Sequence, residues 1–227
     1  MGGFDGETRL DGFGAALTVS ELDDLLSRGV KRPFRRGAFI MTEGESSDHV
    51  VVLLSGRAKV SSYTMDGKEV VLAVRGPGEL LGDFSALDGA PRSATVSALE
   101  PIEALILPSD RFTAFLEDHA RLAILLLQTW SRRVRDADRK RVEFGAYDTP
   151  GRVARRLLEL VDRYGEGDGP VKRIDLSLTQ DELAGWTGSS REAVSKALRE
   201  FRDRGWIETG RRSIKVLDVE ALRSRSL

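Results

Sequence analysis

Three charged side chains lie near the start of an amphipathic segment, where they could contact the bases of duplex DNA. Arg191 and Lys196 carry N–H donors that can bond to guanine O6 and N7, and Glu192 carries an acceptor for cytosine N4. The opposite face of the segment is apolar at helical spacing, with Val194, Ala197, Leu198 and Phe201. A helix divided in this way can pack on a domain through one face and enter a major groove with the other.

A shorter helix is predicted immediately before this segment. Thr179 and Glu182 have the spacing of a capping box, and Gly188 supplies a tight turn before either Ser189 or Ser190 caps the second helix. Two short helices joined by a glycine turn form a helix-turn-helix. The predicted DNA-binding residues of this unit are Thr179, Gln180, Ser190, Arg191, Glu192, Ser195, Lys196 and Arg199.

A hairpin with two arginines follows the helix-turn-helix. Arg211 and Arg212 lie between short apolar runs, which predicts a wing that contacts phosphates. Residues 186–216 carry eight basic and four acidic side chains, whereas the chain up to Asp148 carries 19 basic and 23 acidic ones. A basic C-terminal part favours a polyanionic partner, although an ordinary solvated helix face would give a similar count.

Three regions are predicted along the chain. Residues 1–108 contain short apolar runs separated by turn residues, among them Asp66-Gly67, which indicates a β-barrel or sandwich after a short N-terminal helix. Residues 109–147 lack glycine and proline until Gly145 and are expected to form one or two helices, the second of them long. Residues 148–227 are expected to form the DNA-binding domain, with a hinge at Asp148-Thr149-Pro150-Gly151 where Pro150 starts a helix and Gly151 gives freedom.

The long helix carries an apolar seam with steps of three and four residues. Such a seam needs a partner, and a parallel second copy of the helix is the simplest one, although the stripe could instead pack on its own barrel. We therefore predict a homodimer. The predicted seam residues are Leu127, Trp130, Val134, Ala137 and Phe144.

Four segments of the chain carry a resemblance to a known family: residues 178–184 (LTQDELA), 188–198 (GSSREAVSKAL), 148–154 (DTPGRVA) and 82–95 (GDFSALDGAPRSAT). In their order and spacing they resemble the cyclic AMP receptor protein and FNR family of bacterial transcription regulators. The resemblance implies an α+β protein with an N-terminal cyclic-nucleotide-binding β-barrel of jelly-roll type, a long dimerisation helix and a C-terminal winged helix-turn-helix. The implied partners are palindromic double-stranded DNA, a second copy of the chain and RNA polymerase.

The resemblance also implies an effector pocket in the barrel. In the family this cassette binds a cyclic phosphate through an arginine and the next serine, which correspond to Arg92 and Ser93, while a glutamate after a glycine binds the ribose 2′-hydroxyl. Here Gly82 is followed by Asp83, which is one methylene shorter than glutamate. No cofactor follows from the residues with certainty; cyclic AMP or another cyclic nucleotide is the expected effector.

Three further positions depart from the family pattern. The adenine contacts of the family come from a Thr-Ser pair on the dimer helix, where this chain has Ala137 and Asp138. The loss of one or two buried hydrogen bonds costs about 1 to 3 kcal/mol, so we expect weak or absent cyclic AMP dependence. In the second helix of the helix-turn-helix, Ala193 replaces the usual threonine, which removes a hydroxyl contact to DNA.

Composition excludes several other kinds of site. The chain has 227 residues, no cysteine and two histidines, which rules out disulfides and cysteine-bound clusters and leaves few ligands for a metal. We find no nucleophile elbow, P-loop or zinc-protease motif, so we do not expect an enzyme. No apolar run is long enough to span a membrane and residues 1–9 do not resemble a signal peptide, so a cytoplasmic location is expected.

Two alternative functions stay open. The chain could be a ligand-independent regulator, or a cyclic-nucleotide-binding regulatory subunit without DNA binding.

Overall fold

The computed structural model describes residues 12–167, 169, 171–175, 178–210 and 213–226. The chain divides into two compact units. The first comprises the described residues up to Ser62 together with Leu72–Arg135, and the second comprises Tyr63–Val71 with the described residues from Asp136 onward. Among the described helices, none combines the length and the apolar character that a membrane span requires.

Eight strands form the N-terminal β-structure. They are β1 (Val30–Phe34), β2 (Phe39–Met41), β3 (His49–Ser55), β4 (Ala58–Tyr63), β5 (Glu69–Arg75), β6 (Leu80–Leu81), β7 (Thr95–Ala98) and β8 (Ile102–Pro108). They make two four-stranded sheets with the orders β1-β8-β3-β6 and β2-β7-β4-β5. One buried cluster takes residues from both sheets, including Val51, Leu53, Val96 and Ala104, and this is the packing expected of a jelly roll.

Four helices accompany these strands in the chain: α1 (Val19–Ser27), α2 (Asp83–Asp88), α3 (Ser109–Asp118) and α4 (Ala120–Ala146). A second buried cluster joins Leu25 of α1, Phe112 and Phe115 of α3 and Leu122 of α4 to the alternate residues of β3. The side chains of β3 thus point in turn to the two clusters, as the two-residue period of a strand requires. The predicted β-barrel or sandwich is confirmed, and of the one or two helices expected after Pro108 the structure has two, the second of them long.

The C-terminal part of the chain is a winged helix-turn-helix. Its elements are α5 (Thr149–Tyr164), β9 (Lys172–Ile174), α6 (Gln180–Thr187), α7 (Arg191–Asp203), β10 (Ile207–Gly210), β11 (Ser213–Val216) and α8 (Val219–Arg225). The strands β10, β11 and β9 pair in that order, and Gly210 lies opposite Ser213 in the wing. Its core is apolar, with Val153, Leu157, Val194, Phe201, Ile207 and Val216 all buried.

Residues 148–151 begin α5. Asp148 caps this helix by accepting the backbone N–H of Gly151 at 2.9 Å, and Pro150 lies in the first turn as expected. Gly151 itself is buried within the helix, and a Cβ there would lie 3.0 Å from Asp148 Oδ1. The missing side chain at Gly151 therefore allows close packing inside the helix. It does not provide the backbone freedom that the sequence suggested.

Candidate nucleic-acid interface and effector cassette

The helix α7 separates its two faces as the sequence predicts. Its N-cap is Ser190, whose side chain accepts the backbone N–H of Ala193 at 3.2 Å. Val194, Ala197, Leu198 and Phe201 are buried. The predicted DNA-contacting side chains of Arg191, Glu192, Lys196 and Arg199 are exposed, and Ser195 is half-buried. The exposed face thus presents donors and one acceptor within three turns of a helix.

Charges at the start of α7 are available to a ligand. Arg191 lies 3.8 Å from Asp181, but both side chains are largely exposed, so this ion pair contributes little stability. The backbone N–H of Glu192, followed by the Ser190 hydroxyl, lowers the pKa of Glu192 below its ordinary value. Glu192 is therefore an ionised acceptor at neutral pH.

The turn between α6 and α7 is held from two sides. Gly188 has a φ of +58°, and a Cβ at this position would lie 2.5 Å from Cε1 of Phe144 near the end of α4. The buried Ser189 hydroxyl accepts from Arg152 Nη2 at 3.1 Å and lies 3.1 Å from Thr149 Oγ1. Helix α5 and the end of α4 thus fix the direction in which α7 starts.

Thr179 and Gln180 lie at the start of α6. Thr179 Oγ1 accepts the backbone N–H of Glu182 at 3.1 Å, and the Glu182 carboxylate accepts the backbone N–H of Thr179 at 2.8 Å. The predicted capping box is therefore present, and Thr179 has a structural role beside any phosphate contact. Gln180 is half-buried in the first turn. Arg211 and Arg212 of the wing lie outside the described residues.

Helix α4 ends in a set of ion pairs that we call the α4–α5 clamp, formed by Lys140, Glu143, Arg155, Arg156 and Glu159. Arg156 of α5 is only 4% exposed and pairs with both Glu143 and Glu159. Arg155 approaches Glu143 at 3.3 Å, and Lys140 approaches Glu159 at 3.9 Å. Lys140 Nζ and Arg156 Cζ each lie 5.7 Å from the centre of the Trp186 ring of α6, so the clamp also reaches the helix-turn-helix.

The cassette begins at a glycine that accommodates an arginine. Gly82 has a φ of +75° and is the N-cap of α2, and a Cβ there would overlap Nη1 of Arg92 and lie 2.9 Å from Cε of Met41. Arg92 is 4% exposed and donates to the carbonyls of Gly82 at 3.2 Å and His49 at 2.7 Å. Burial lowers the pKa of Arg92, and the negative charges of Asp48 and Glu45 oppose this effect by raising it. A guanidinium has five N–H donors, so Arg92 can donate to an anion as well. Ser93 is exposed beside it.

Asp83 is engaged by two side chains of α4. The residue is 2% exposed, and its carboxylate accepts from Trp130 Nε1 at 2.7 Å and from Arg133 Nη1 at 2.8 Å. Arg133 also donates to the carbonyl of Leu80 at 2.9 Å, and the Trp130 ring lies 4.9 Å from that of Phe84. Asp83, which the resemblance predicts to bind a ribose, therefore already accepts hydrogen bonds from side chains of its own chain.

The predicted seam residues have different surroundings along α4. Leu127 and Val134 are 57% and 59% exposed, and Ala137 is exposed as well. Trp130 faces the cassette and Phe144 contacts the glycine turn, so within one chain both already have partners. Asp138, like Ala137, is exposed and belongs to the second unit. The nucleotide contacts of both residues, and the seam, remain predictions.

Two family comparisons match most of this architecture. The cyclic nucleotide-binding domain family matches residues 31–119, and the Crp-like helix-turn-helix domain family matches residues 151–225. The chain belongs to the CRP/FNR family of transcription regulators. Its members are DNA-binding regulators with a cyclic-nucleotide-binding domain, as the sequence motifs implied.

Individual relatives cover nearly the whole chain. A CRP-like cAMP-activated global transcriptional regulator of Mycobacterium tuberculosis is 34% identical over 193 residues, which are 85% of this chain and 86% of the relative. The cyclic AMP receptor protein of Thermus thermophilus is 31% identical and covers 91% of this chain and 92% of its own. The structure of FixK2 from Bradyrhizobium japonicum has a TM-score of 0.78 at 19% identity, covers 88% of this chain and 98% of its own, and shares the fold.

Several residues of this CRP/FNR protein escaped the sequence analysis. Arg133 was one of many charges on α4, and only the fold shows that it reaches Asp83. Trp130 was assigned to the seam by its spacing, and spacing could not reveal the hydrogen bond from its indole N–H to Asp83. No sequence signal marked Arg156, because an arginine inside an amphipathic helix is usually solvated.

Proposed function

We propose that the chain acts as a homodimer that binds palindromic double-stranded DNA with α7 of each copy in adjacent major grooves. The observation that carries this proposal is the divided surface of α7, with four buried apolar residues on one face and the exposed side chains of Arg191, Glu192, Lys196 and Arg199 on the other. A palindromic site matches the symmetry of such a dimer, with half-sites about 34 Å apart. RNA polymerase is the proposed further partner, and the cytoplasm the proposed location.

The dimer contact is proposed along α4. Leu127 and Val134 are exposed one heptad apart, which is the spacing of a two-stranded coiled coil. On a single helix this apolar stripe stays exposed to water, which is unfavourable, whereas a second copy of the helix would bury it.

The cassette is proposed to bind a cyclic nucleotide weakly, with Arg92 as the phosphate ligand. Arg92 is held in place by two carbonyls and retains further N–H donors, and Ser93 beside it is exposed. Asp83 is already satisfied by Trp130 and Arg133, and this observation favours DNA binding that depends little on a ligand.

Fluorescence anisotropy on a palindromic duplex and a scrambled duplex, with and without cyclic AMP, tests the DNA proposal. We expect R191A to weaken specific binding about tenfold or more, because a base contact contributes about 1 to 3 kcal/mol. R223A removes the same charge from an exposed site on α8 and is the matched control. Equal affinity of the wild type for both duplexes, or equal losses in R191A and R223A, would contradict the proposal.

A further inference from the structure

We infer that Asp181 of α6 positions Arg191 of α7 for base recognition, and that it thereby raises the preference of the protein for its palindromic site over other DNA. This inference rests on the proposed function, because it assigns Asp181 a part in the same DNA interface. Asp181 is not among the residues predicted to contact DNA. It acts through Arg191 and is therefore a positioning residue.

The first turn of α6 carries two acids with different surroundings. Glu182 accepts the backbone N–H of Thr179 at 2.8 Å and completes the capping box, so its charge stabilises the start of the helix. Asp181 takes no part in this box. Its carboxylate is 69% exposed and lies 3.8 Å from Nη1 of Arg191, the one ion pair found for it within the described residues. Capping of α6 therefore requires Glu182 and not Asp181.

Arg191 lies close to two carboxylates. Asp181 approaches it from α6, and Glu192 is the next residue of α7. The pKa of Glu192 is lowered by its backbone N–H, by the Ser190 hydroxyl and, as a smaller contribution, by the positive charge of Arg191. Both acids thus attract the Arg191 side chain, and both repel any further anion that approaches it.

A guanidinium can serve two acceptors at once. It has five N–H donors in a planar fork, and a guanine offers O6 and N7 to two of them. Asp181 approaches Nη1 of Arg191, which leaves Nε and Nη2 to donate to a base. A guanine contact can therefore form while Asp181 stays beside Arg191. The attraction between the two side chains increases when water is excluded from the groove, which favours this arrangement.

A phosphate of non-specific DNA is a poorer partner for Arg191. The phosphate is an anion and is repelled by Asp181 and Glu192, whereas guanine O6 and N7 are neutral acceptors. Non-specific binding depends almost entirely on contacts between cations and phosphates. The pair between Asp181 and Arg191 therefore weakens non-specific binding and supports base recognition, and both effects increase the difference in affinity between the two kinds of DNA.

Fluorescence anisotropy of the full-length protein on the palindromic and scrambled duplexes, repeated over a range of salt concentrations, tests this inference. We expect D181N to lower the affinity for the palindrome about threefold and to raise that for the scrambled duplex about threefold, so the preference falls about tenfold. The released arginine adds one phosphate contact. On the scrambled duplex, the slope of log K against log salt should therefore steepen by about 0.9. D181E keeps a carboxylate and should retain most of the preference.

Two controls distinguish positioning of Arg191 from a general effect of charge. D162N removes the same charge from an exposed position on α5 and should leave the preference and the salt slope as in the wild type. In an R191A background, D181N should no longer change the preference, because its effect requires the arginine. Asp181 is exposed and lies outside the capping box, so D181N should unfold close to the wild-type temperature.

The outcomes separate this inference from the proposed function. A wild type that prefers the palindrome, together with a D181N variant of unchanged preference, would overturn the inference and leave the DNA proposal intact. An equal loss of preference from D181N with and without Arg191, or from D162N, would also overturn it, since charge alone would then be the cause. A wild type with equal affinity for the two duplexes would overturn both the inference and the proposed function.

Discussion

Glu143 near the end of α4 and Arg156 on α5 form an ion pair in which the arginine is almost completely buried. Glu159 on the same helix as Arg156 is its second acidic partner. The pair lies on either side of the segment at Asp148, which the sequence suggested as a hinge. Within the second unit, the last turns of α4 and helix α5 are therefore joined by a buried ion pair as well as by the short chain segment between them.

We expect E143Q to destabilise the second unit by about 1 to 3 kcal/mol, because the substitution leaves a buried guanidinium with one carboxylate in place of two. Differential scanning calorimetry of the full chain measures this change. The matched control is E220Q, which breaks an exposed pair with Arg223 and should change stability by less than about 0.5 kcal/mol. Equal losses of stability from the two substitutions would show that burial does not increase the contribution of the pair between Glu143 and Arg156.

Two glycines with the same backbone conformation allow a controlled test of the cassette. Gly82 and Gly89 have φ values of +75° and +72°, but a Cβ at Gly82 would overlap Arg92, whereas one at Gly89 would meet nothing within 4 Å. G89A should therefore cost only the strain of the left-handed conformation, about 1 kcal/mol. G82A should cost several kcal/mol, or shift Arg92 and abolish nucleotide binding. Urea unfolding compares the two variants, and similar losses would contradict the predicted clash.

The charge of Asp148 should make stability depend on pH in the acid range. A hydrogen bond from Arg225 and the backbone N–H of Gly151 hold the pKa of Asp148 below its ordinary value, against a smaller opposing effect of burial. A lowered folded-state pKa contributes stability above the unfolded value of about 4, and this stability is lost as pH falls through the folded value. Because the side chain is mostly exposed, the contribution should stay below about 1 kcal/mol.

D148N isolates this contribution, since asparagine caps a helix about as well as aspartate. The difference in melting temperature between the wild type and D148N should be largest near neutral pH and vanish well below pH 4. D218N, at the N-cap of α8, is the control for loss of a capping charge without the Arg225 contact. A difference that stays constant between pH 7 and pH 3 would exclude the charge of Asp148 as its cause.

Self-association should depend on the exposed stripe of α4. L127D and V134D would place a carboxylate in the proposed interface and should convert a dimer to a monomer in sedimentation velocity experiments, with the loss of specific DNA binding. V19D changes a valine on α1 that is also exposed, and it should leave the dimer intact. A wild type that sediments as a monomer, or a dimer that survives both α4 substitutions, would refute the proposed seam.

Local sequence signals predicted the elements of the candidate site well. Each of these signals involves residues within a few positions of one another: the capping box of Thr179 and Glu182, the glycine turn at Gly188, and the N-cap for which the sequence offered Ser189 or Ser190 and the structure has Ser190. Their geometry is therefore determined by the backbone between them. The buried and exposed faces of α7 followed from helical periodicity for the same reason.

Contacts between distant residues could not be predicted in this way. The bond between Trp130 and Asp83 joins positions 47 residues apart, and periodicity assigns Trp130 a face of α4 without naming what lies opposite. The burial of Arg156 depends on Glu143, on a different helix, which supplies the charge that makes burial tolerable. Such pairs need the tertiary fold to be known first.

The contact of Phe144 with Gly188 bears on how hybrid regulators should be assembled. A chimera that exchanges DNA-binding domains at Asp148 would keep Phe144 and Glu143 of one parent. These residues would then have to pack on the glycine turn and helix α5 of the other parent. A crossover near Asp136 transfers these residues together with their partners, since the second unit includes α4 from that residue onward. The boundary suited to exchange therefore lies inside a helix, about three turns before the loop that a sequence alignment would suggest.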